Sequence, residues 1–207
     1  MHPAAALGIT ALVIALAVGA GAGIDWALRP HPSAGFARCH TAAPLAPRLY
    51  SAPPPMCIDP TATYNGTIKT TKGDVRFVFL AKQAPKTSNN FVVLAENDYF
   101  NGQTFFRSED WVVQSGDPRN SGRGGPGYSL PEEAPAPDEQ WVPGSLGMAR
   151  FPDGTISGSQ FFILKQAWPG GNPSTIYNHF GTITLGFDVV GQLTPSDRIL
   201  SVEIKRG

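Results

Sequence analysis

The chain has few charged side chains and no excess of either sign. Charged residues make up 15% of the 207 residues, and 16 lysines and arginines balance 16 aspartates and glutamates. A protein that binds nucleic acid normally presents a basic face, so this balance argues against that class of partner. Glycine and proline are abundant instead, at 23 and 20 residues. This composition favours many turns and short strands, as in an all-β barrel or sandwich.

Histidine and cysteine are scarce, which limits the chemistry available. His179 is the single histidine after residue 60, and no G-x-S-x-G motif accompanies it. A serine hydrolase would have to use His179 as its base, and we expect this histidine at the surface or at the rim of a barrel instead. Cys39, His40 and Cys57 are too few to form a zinc site, which needs four ligands. The sequence therefore predicts neither a hydrolase nor a bound metal.

Residues 4–24 form a long run without a charged side chain. A helix of these 21 residues would be about 31 Å long, enough to cross a hydrocarbon core of roughly 30 Å. The small residues near the end of the run are also compatible with a cleaved secretory signal. We therefore predict that residues 1–28 are a transmembrane anchor or a signal peptide. The protein would then be a single-pass membrane protein with an extracytoplasmic domain, or a secreted one.

Residues 29–60 are rich in proline, which favours an extended polyproline II chain over a packed core. We predict a linker here, outside the globular part, followed by a folded domain at residues 61–207. Both cysteines lie in this linker. In an exported chain they could form a disulfide that closes a loop of about 19 residues, or they could remain unpaired. The sequence leaves both alternatives open.

The folded part is predicted as short strands with two helical segments. Alternating patterns at 63–70 and 74–80 indicate a hairpin. Apolar residues spaced by three and four after Pro85 predict a helix at 85–97. The remaining segments are a Gly- and Pro-rich surface loop at 115–143, a helical turn at 187–193, and strands at 104–107, 111–114, 147–150, 161–164, 180–184 and 199–205. The glycines of the loop follow no strand-to-helix pattern, so we predict no nucleotide site.

Two stretches carry most of the functional information. They are T-F-F-R-S-E-D-W-V-V-Q-S-G-D-P at 104–118 and G-S-L-G-M-A-R-F-P-D-G-T-I-S-G-S-Q-F-F-I at 144–163. With the Gly-rich link between them and the F-G pair at 180–181, they resemble the cyclophilin-type peptidyl-prolyl cis–trans isomerases over roughly residues 63–205. The resemblance implies a closed eight-stranded antiparallel barrel capped by two helices.

The resemblance also implies an activity and its partners. We expect an enzyme that accelerates isomerisation of X-Pro bonds during the folding of exported proteins, with proline-containing peptides and unfolded exported chains as partners. Neither a cofactor nor a nucleic acid is expected, and we expect a monomer. The membrane would be contacted through residues 4–24.

Residue by residue, Arg107 stands where the family carries its catalytic arginine. Gln114 stands where a glutamine holds that arginine and the substrate backbone. The spacing between the two is one residue shorter than in most members, so the S-E-D loop is altered. Without the resemblance, Arg107 would be interpreted as a surface arginine paired with Glu109 or Asp110.

The substrate-binding positions implied by the same alignment form an apolar slot with polar edges. Some of them depart from the family: a tryptophan replaces phenylalanine at 111, a valine replaces methionine at 112, and an arginine replaces asparagine at 150. Trp168 lies in a lengthened loop at 165–176, so no role is transferred to it. The implied binding residues are Trp111, Val112, Ala149, Arg150, Gln160, Phe162 and Tyr177.

Rotation about a peptide bond requires no covalent chemistry. The barrier of about 18–20 kcal/mol comes from conjugation, so the catalyst must bind the twisted amide better than either planar form. An apolar slot for the proline ring, a donor beside the amide and groups that hold the flanking backbone meet this need. The altered loop keeps a second hypothesis open, in which the cleft binds proline-containing peptides, as a scaffold or holdase, with little or no turnover.

Overall fold

In a computed structural model of the protein, residues 34–136 and 138–207 are described. Within these two ranges, no helix combines the length and the apolar character that crossing a membrane requires. The predicted anchor or signal at 1–28 lies outside the described residues. It stays a prediction, as does the division of the chain into domains at residues 28 and 60.

The described residues form a mainly β structure with two α-helices, as predicted. A short 3-10 helix at Ala34–Phe36 precedes the other elements. In chain order these are β1 (Pro44–Ala46), β2 (Leu49–Tyr50), β3 (Tyr64–Thr70), β4 (Gly73–Phe79), α1 (Pro85–Glu96), β5 (Arg107–Ser108), β6 (Val112–Ser115), β7 (Ser129–Leu130), β8 (Ser145–Arg150), β9 (Ile156–Leu164), β10 (His179–Leu185), α2 (Phe187–Gln192) and β11 (Ile199–Arg206).

Nine of these strands form one curled antiparallel sheet. Its hydrogen-bonded order is β11-β3-β4-β10-β8-β9-β6-β5, and β7 adds to β9. The closed eight-stranded barrel that we expected is therefore wrong: the sheet is an open half-barrel. Within the described ranges, its two ends meet at a single bridge between Thr104 and Arg198 and at a few flanking backbone hydrogen bonds. The physical reason is that β5 has two residues, too few to continue the ladder to β11.

Helix α1 begins at Pro85, whose fixed φ suits a first helical turn. Its N-terminal amides are capped from a distant loop, because the Glu133 carboxylate accepts hydrogen bonds from the Lys86 and Thr87 amides, both at 2.8 Å. The Asn178 side chain joins the two segments, donating to Thr87 Oγ1 and accepting from the Glu133 amide. The loop after β7 is thereby fixed against α1 and the start of β10.

Strand β9 supplies side chains to two separate apolar clusters. Phe161 and Ile163 lie in the main core, whereas Phe162 and Leu164 lie in a smaller cluster that includes Trp141. Successive side chains of a strand point to opposite faces, so one strand can serve both. This explains why all of β9 is buried.

Residues 34–60 pack against the sheet and α1, so the expectation of an extended chain outside the globular part does not hold for them. Phe36, Cys39, Tyr50 and Ile58 are all buried in the main core. Apolar anchors spaced along the segment thus outweigh its preference for an extended chain.

A disulfide and one asparagine hold this segment in place. Cys39 and Cys57 are bridged, which settles the alternative that the sequence left open. Asn89 of α1 accepts a hydrogen bond from the Cys57 amide at 2.7 Å and donates to the Pro55 carbonyl at 3.0 Å. The proline-rich segment is therefore tied to the helix through its backbone.

Candidate active site

The side chains predicted for catalysis and binding converge on one cavity of 180 Å³. It lies between the β5–β6 hairpin, β8, β9 and the segment 168–177. Its lining residues are Arg107, Trp111, Val112, Gln114, Ala149, Arg150, Phe162, Trp168 and Tyr177. Of the predicted residues, only Gln160 is not part of this lining, and it lies directly behind Gln114.

A chain of hydrogen bonds fixes the polar side of the cavity. Arg107 on β5 is opposite Gln114 on β6, and its Nη1 donates to Gln114 Oε1 at 3.2 Å. Gln114 Nε2 donates to Gln160 Oε1 at 2.9 Å, and Gln160 Nε2 donates to the Gly124 carbonyl at 2.8 Å. Because Gln160 is buried, this relay orients the arginine from the interior of the protein.

Arg107 also forms the surface ion pair that the sequence suggested as the alternative. Its Nε donates to Glu109 Oε1 at 2.7 Å and its Nη2 donates to Glu109 Oε2 at 3.1 Å. The hydrogen bond from Arg107 holds the pKa of Glu109 below its ordinary value. Arg107 therefore forms the ion pair and lines the cavity at the same time.

Aromatic rings form the apolar wall. Phe162 lies at the base, and the Tyr177 ring is 5.7 Å away. The Trp168 ring lies 5.0 Å from that of Tyr177 and 5.3 Å from that of Trp111, centre to centre. The structure thus places Trp168 in the wall, although the lengthened loop had left it without a predicted role. The three outer rings are half-buried, so the slot opens to solvent.

Strand β8 provides the remaining edge. The ladder between β8 and β9 shifts register between Met148 and Arg150, and Ala149 lies at this irregularity. The Arg150 guanidinium pairs with Glu132 and donates to the Ile176 carbonyl at 3.0 Å. It therefore lines the cavity while tying two loops together.

Trp141 is a buried part of the site that the sequence did not predict. Its ring lies 5.5 Å from that of Phe162 and 4.6 Å from that of His179, and its carbonyl accepts from the Trp168 amide at 3.3 Å. A Cβ at Gly147 would lie 2.7 Å from the Trp141 ring and 2.4 Å from the Phe162 ring. Trp141 was missed because it lies in an irregular Gly- and Pro-rich stretch, where no periodicity marks buried positions.

His179 is buried, so of the two expected locations, the surface or the rim of the barrel, the surface is wrong. Its Nδ1 pairs with Glu139, which also accepts from Gln83, and its Nε2 lies 3.0 Å from the Gly181 carbonyl. Burial lowers the pKa of His179 against the opposing effect of Glu139. Because both ring nitrogens have partners other than a serine, this histidine is not arranged as the base of a hydrolase.

Two further features of the described ranges bear on function. No group of three or more histidine, cysteine, aspartate or glutamate side chains in these ranges is placed to hold a metal ion. A larger cavity of 680 Å³ lies between the β1–β2 hairpin and the loop at 118–129, and it contains none of the predicted site residues. The smaller cavity is the better candidate because it combines an apolar slot with oriented donors.

Known proteins resemble the chain in both sequence and fold. Residues 66–205 match the family model described as cyclophilin type peptidyl-prolyl cis-trans isomerase/CLD. A peptidyl-prolyl cis-trans isomerase of Synechococcus elongatus is 37% identical over 140 residues, covering 66% of this chain and 93% of that protein. Peptidyl-prolyl cis-trans isomerase A of Mycobacterium tuberculosis is 38% identical over 127 residues, covering 53% of this chain and 69% of that protein.

Solved structures of cyclophilin-type isomerases also resemble the chain in fold. A crystal structure of a cyclophilin type peptidyl-prolyl cis-trans isomerase from Cryptosporidium parvum matches with a TM-score of 0.63 and 27% identity, covering 70% of this chain and 99% of that one. A structure of the same protein in the presence of the dipeptide Ala-Pro matches with a TM-score of 0.62 and 28% identity, covering 69% and 99%. Since the family model spans more than half of the chain, the chain belongs to the cyclophilin-type peptidyl-prolyl cis–trans isomerases.

Proposed function

We propose that the cavity beside Arg107 is the catalytic site for X-Pro isomerisation, and that it serves the folding of exported proteins. The observation that carries the proposal is the hydrogen bond from Arg107 to Gln114 at the mouth of an aromatic slot. An oriented cation at this position would face the amide of a proline whose ring binds against Phe162. The Ala-Pro dipeptide used with the Cryptosporidium protein supports proline-containing peptides as ligands.

Arg107 would act by stabilising the twisted amide. A guanidinium has five N–H donors, and three of those of Arg107 are directed at Glu109 and Gln114. One N–H on Nη1 and one on Nη2 are then available to the substrate. As conjugation is lost the amide nitrogen regains its lone pair, so a hydrogen bond to it is stronger in the transition state than in the ground state. Each 1.4 kcal/mol gained in this way is about tenfold in rate.

The flanking backbone of the substrate would be held at two edges. Gln114 lies on one side, fixed by Gln160. Ala149 lies on the other side, at the irregularity of the β8–β9 ladder. Tyr177 and Trp168 would cover the proline ring from the solvent side, where both are half-buried.

Export is supported by the disulfide. Disulfides persist in oxidising compartments and are rare in the cytosol, so the bridge between Cys39 and Cys57 fits a secreted or membrane-anchored chain. The uncharged run at 4–24 is the segment that would direct it there. Cell fractionation combined with thiol labelling tests this: export predicts a membrane or secreted protein with both cysteines protected. Reduced, labelled protein in the cytosol would contradict it.

A second candidate function is binding without turnover. The observation in its favour is the two-pronged pair between Arg107 and Glu109, which offsets part of the charge that catalysis needs. Binding alone predicts affinity for proline-containing peptides with no acceleration of their isomerisation.

The deciding experiment compares variants of the full-length chain on a short X-Pro peptide. The full chain is used because residues 34–60 contribute to the core. We expect catalysis by the wild type and a loss of about tenfold or more in Arg107→Ala. Arg206→Ala, which removes an exposed arginine paired with Asp59, is the matched control and should retain activity. A folded wild type that leaves the uncatalysed rate unchanged would favour the binding module.

A further inference from the structure

The shortened loop between Arg107 and Gln114 contains an acidic residue that touches two parts of the site. The Glu109 carboxylate accepts from Arg107 through both of its oxygens, at 2.7 and 3.1 Å. Its Oε2 also accepts from the indole Nε1 of Trp111 at 2.8 Å. One carboxylate therefore contacts both the candidate catalytic cation and a ring of the apolar slot.

Glu109 is itself held in a defined position. Its amide donates to the Val112 carbonyl at 2.8 Å, which closes a tight turn between β5 and β6. The Trp111 ring lies beside the guanidinium, with the Arg107 Cζ 5.4 Å from the ring centre. The arginine, the carboxylate and the indole thus form a closed ring of contacts, in which no member can rotate without breaking at least one of them.

The direction of each contact matters for catalysis. Glu109 engages Nε and one N–H of Nη2, which is the outer edge of the guanidinium, while Gln114 engages Nη1 from the interior side. Held at both edges, the planar group keeps one orientation over the cavity, and the remaining donors keep a fixed direction. Without Glu109, Arg107 would keep only the 3.2 Å hydrogen bond to Gln114 and the contact with the Trp111 ring.

We propose that Glu109 is a positioning residue that fixes the Arg107 guanidinium, and with it the Trp111 ring, in the orientation needed for isomerisation. The inference rests on the proposed function of Arg107. It gives a role to the altered loop: the turn is one residue shorter than expected, and it contains a carboxylate that orients the arginine. The hydrogen bond from Arg107 lowers the pKa of Glu109, so the carboxylate is ionised at neutral pH.

We do not expect the ion pair between Arg107 and Glu109 to act mainly by stabilising the fold. The Arg107 and Glu109 side chains are 39% and 47% exposed. Exposed pairs contribute little to folding free energy, because water screens them and the side chains lose entropy. The chain offers a matched control in the pair between Lys69 and Glu203, whose side chains are 40% and 48% exposed and which lies away from the cavity.

The experiment measures kcat and KM separately for the full-length chain with Glu109→Ala, Glu109→Gln and Glu203→Gln. We expect kcat to fall about tenfold in Glu109→Ala, since loss of orientation is felt mainly in the transition state, with KM changed less than about twofold. Glu109→Gln retains one acceptor and should recover part of the loss. Glu203→Gln should match the wild type. Thermal unfolding and near-UV circular dichroism establish that each variant is folded.

A double-mutant cycle shows whether Glu109 acts through Arg107. In an Arg107→Ala background the further change Glu109→Ala should have little effect, because the guanidinium is absent and only the hydrogen bond to Trp111 is left to lose. If Arg107→Ala reaches the uncatalysed rate, the cycle uses Arg107→Lys, which keeps the charge but lacks the two-pronged fork. An equal loss from Glu109→Ala in both backgrounds would overturn the proposal, as would a Glu109→Ala variant with unchanged or increased kcat.

The two proposals fail in different ways. If Arg107→Ala is as active as the wild type, the proposed role of Arg107 is wrong. If Arg107→Ala is inactive while Glu109→Ala is fully active, only the positioning role is wrong, and Glu109 is then a surface ion-pair partner.

Discussion

Two aromatic clusters lie on opposite faces of β9, and they differ in whether water reaches them. In the main core, Phe91 packs between Phe100, at 4.6 Å, and Phe180, at 5.0 Å, and all three are fully buried. In the smaller cluster, Phe162 and Trp141 are buried, but the outer rings are half-buried around a cavity. The same residue types therefore stabilise the fold where they fill the space, and line a cavity where they leave space open.

The largest effect should come from removing a side chain on the fully buried face of β9. Phe161→Ala removes a fully buried ring that packs 5.4 Å from Phe91, and we expect a loss of about 3–5 kcal/mol in the free energy of unfolding. Phe162→Ala should lose less stability, because its ring already borders a cavity, but more of kcat/KM. Urea unfolding and isomerase assays on both variants test the comparison, and Phe161→Leu is the milder variant if Phe161→Ala does not fold. Equal activity losses would mean that the two faces are not separate in function.

The next largest effect on stability concerns the segment at 34–60. This segment is separate from β9, the strand that the two clusters share. Replacing Cys39 and Cys57 by serine removes a cross-link between residues 18 apart, and we expect a loss of about 3 kcal/mol of stability. Isomerase activity measured well below the melting temperature should be unchanged, because neither cysteine lines the cavity. A large fall in kcat/KM in a folded variant would show that this segment shapes the site.

A smaller effect should follow from filling space beneath the open cluster. Gly147→Ala would place a Cβ 2.4 Å from the Phe162 ring and 2.7 Å from the Trp141 ring. Overpacking of this kind costs about 1–3 kcal/mol, and the displaced rings should narrow the slot and raise KM. Gly35→Ala is the control, since a Cβ there meets no atom of the described residues within 4 Å. Unchanged stability and KM in Gly147→Ala would mean that the two rings move without consequence.

The smallest effect is a pH dependence from the histidine behind Trp141. Burial lowers the pKa of His179 below its ordinary 6.5, so on acidification the unfolded chain takes up this proton before the folded one does. The free energy of unfolding should therefore decrease as the pH falls below 6.5, by at most about 1.4 kcal/mol per pH unit. His179→Gln should have a flatter profile between pH 7.5 and 5.5. An identical slope in both proteins would assign the effect to other groups.

The elements that the sequence predicted well are those with local signals. The hairpin of β3 and β4 follows from alternation, and α1 follows from Pro85 and a period of 3.6. The start of β9 at Ile156 was missed because I-S-G-S-Q has no alternating pattern, and only its apolar end at 161–164 was predicted. The residues that line the cavity, apart from Trp168, were predicted through the family resemblance, which carries long-range information that periodicity lacks.

The remaining features depend on contacts between distant parts of the chain. The packing of 34–60 depends on Asn89, and the burial of Trp141 depends on His179, on a strand much later in the chain. Neither contact leaves a mark in the local composition, which is dominated by proline in one case and by glycine and proline in the other. The open half-barrel was also not predicted from the sequence, because it depends on the short length of β5.

The cap of α1 has a consequence for the order of events while the chain is being synthesised. Ala84 provides no side-chain hydrogen bond at the start of the helix, and the carboxylate that does so belongs to Glu133, 47 residues after Lys86. A nascent chain that has not yet reached residue 133 therefore has an unprotected first turn, which should be open to proteases and to chaperones. The aromatic wall is completed later, because Phe162, Trp168 and Tyr177 all follow Glu133 in the chain. The cavity can therefore form only after the residues that cap α1 have been synthesised.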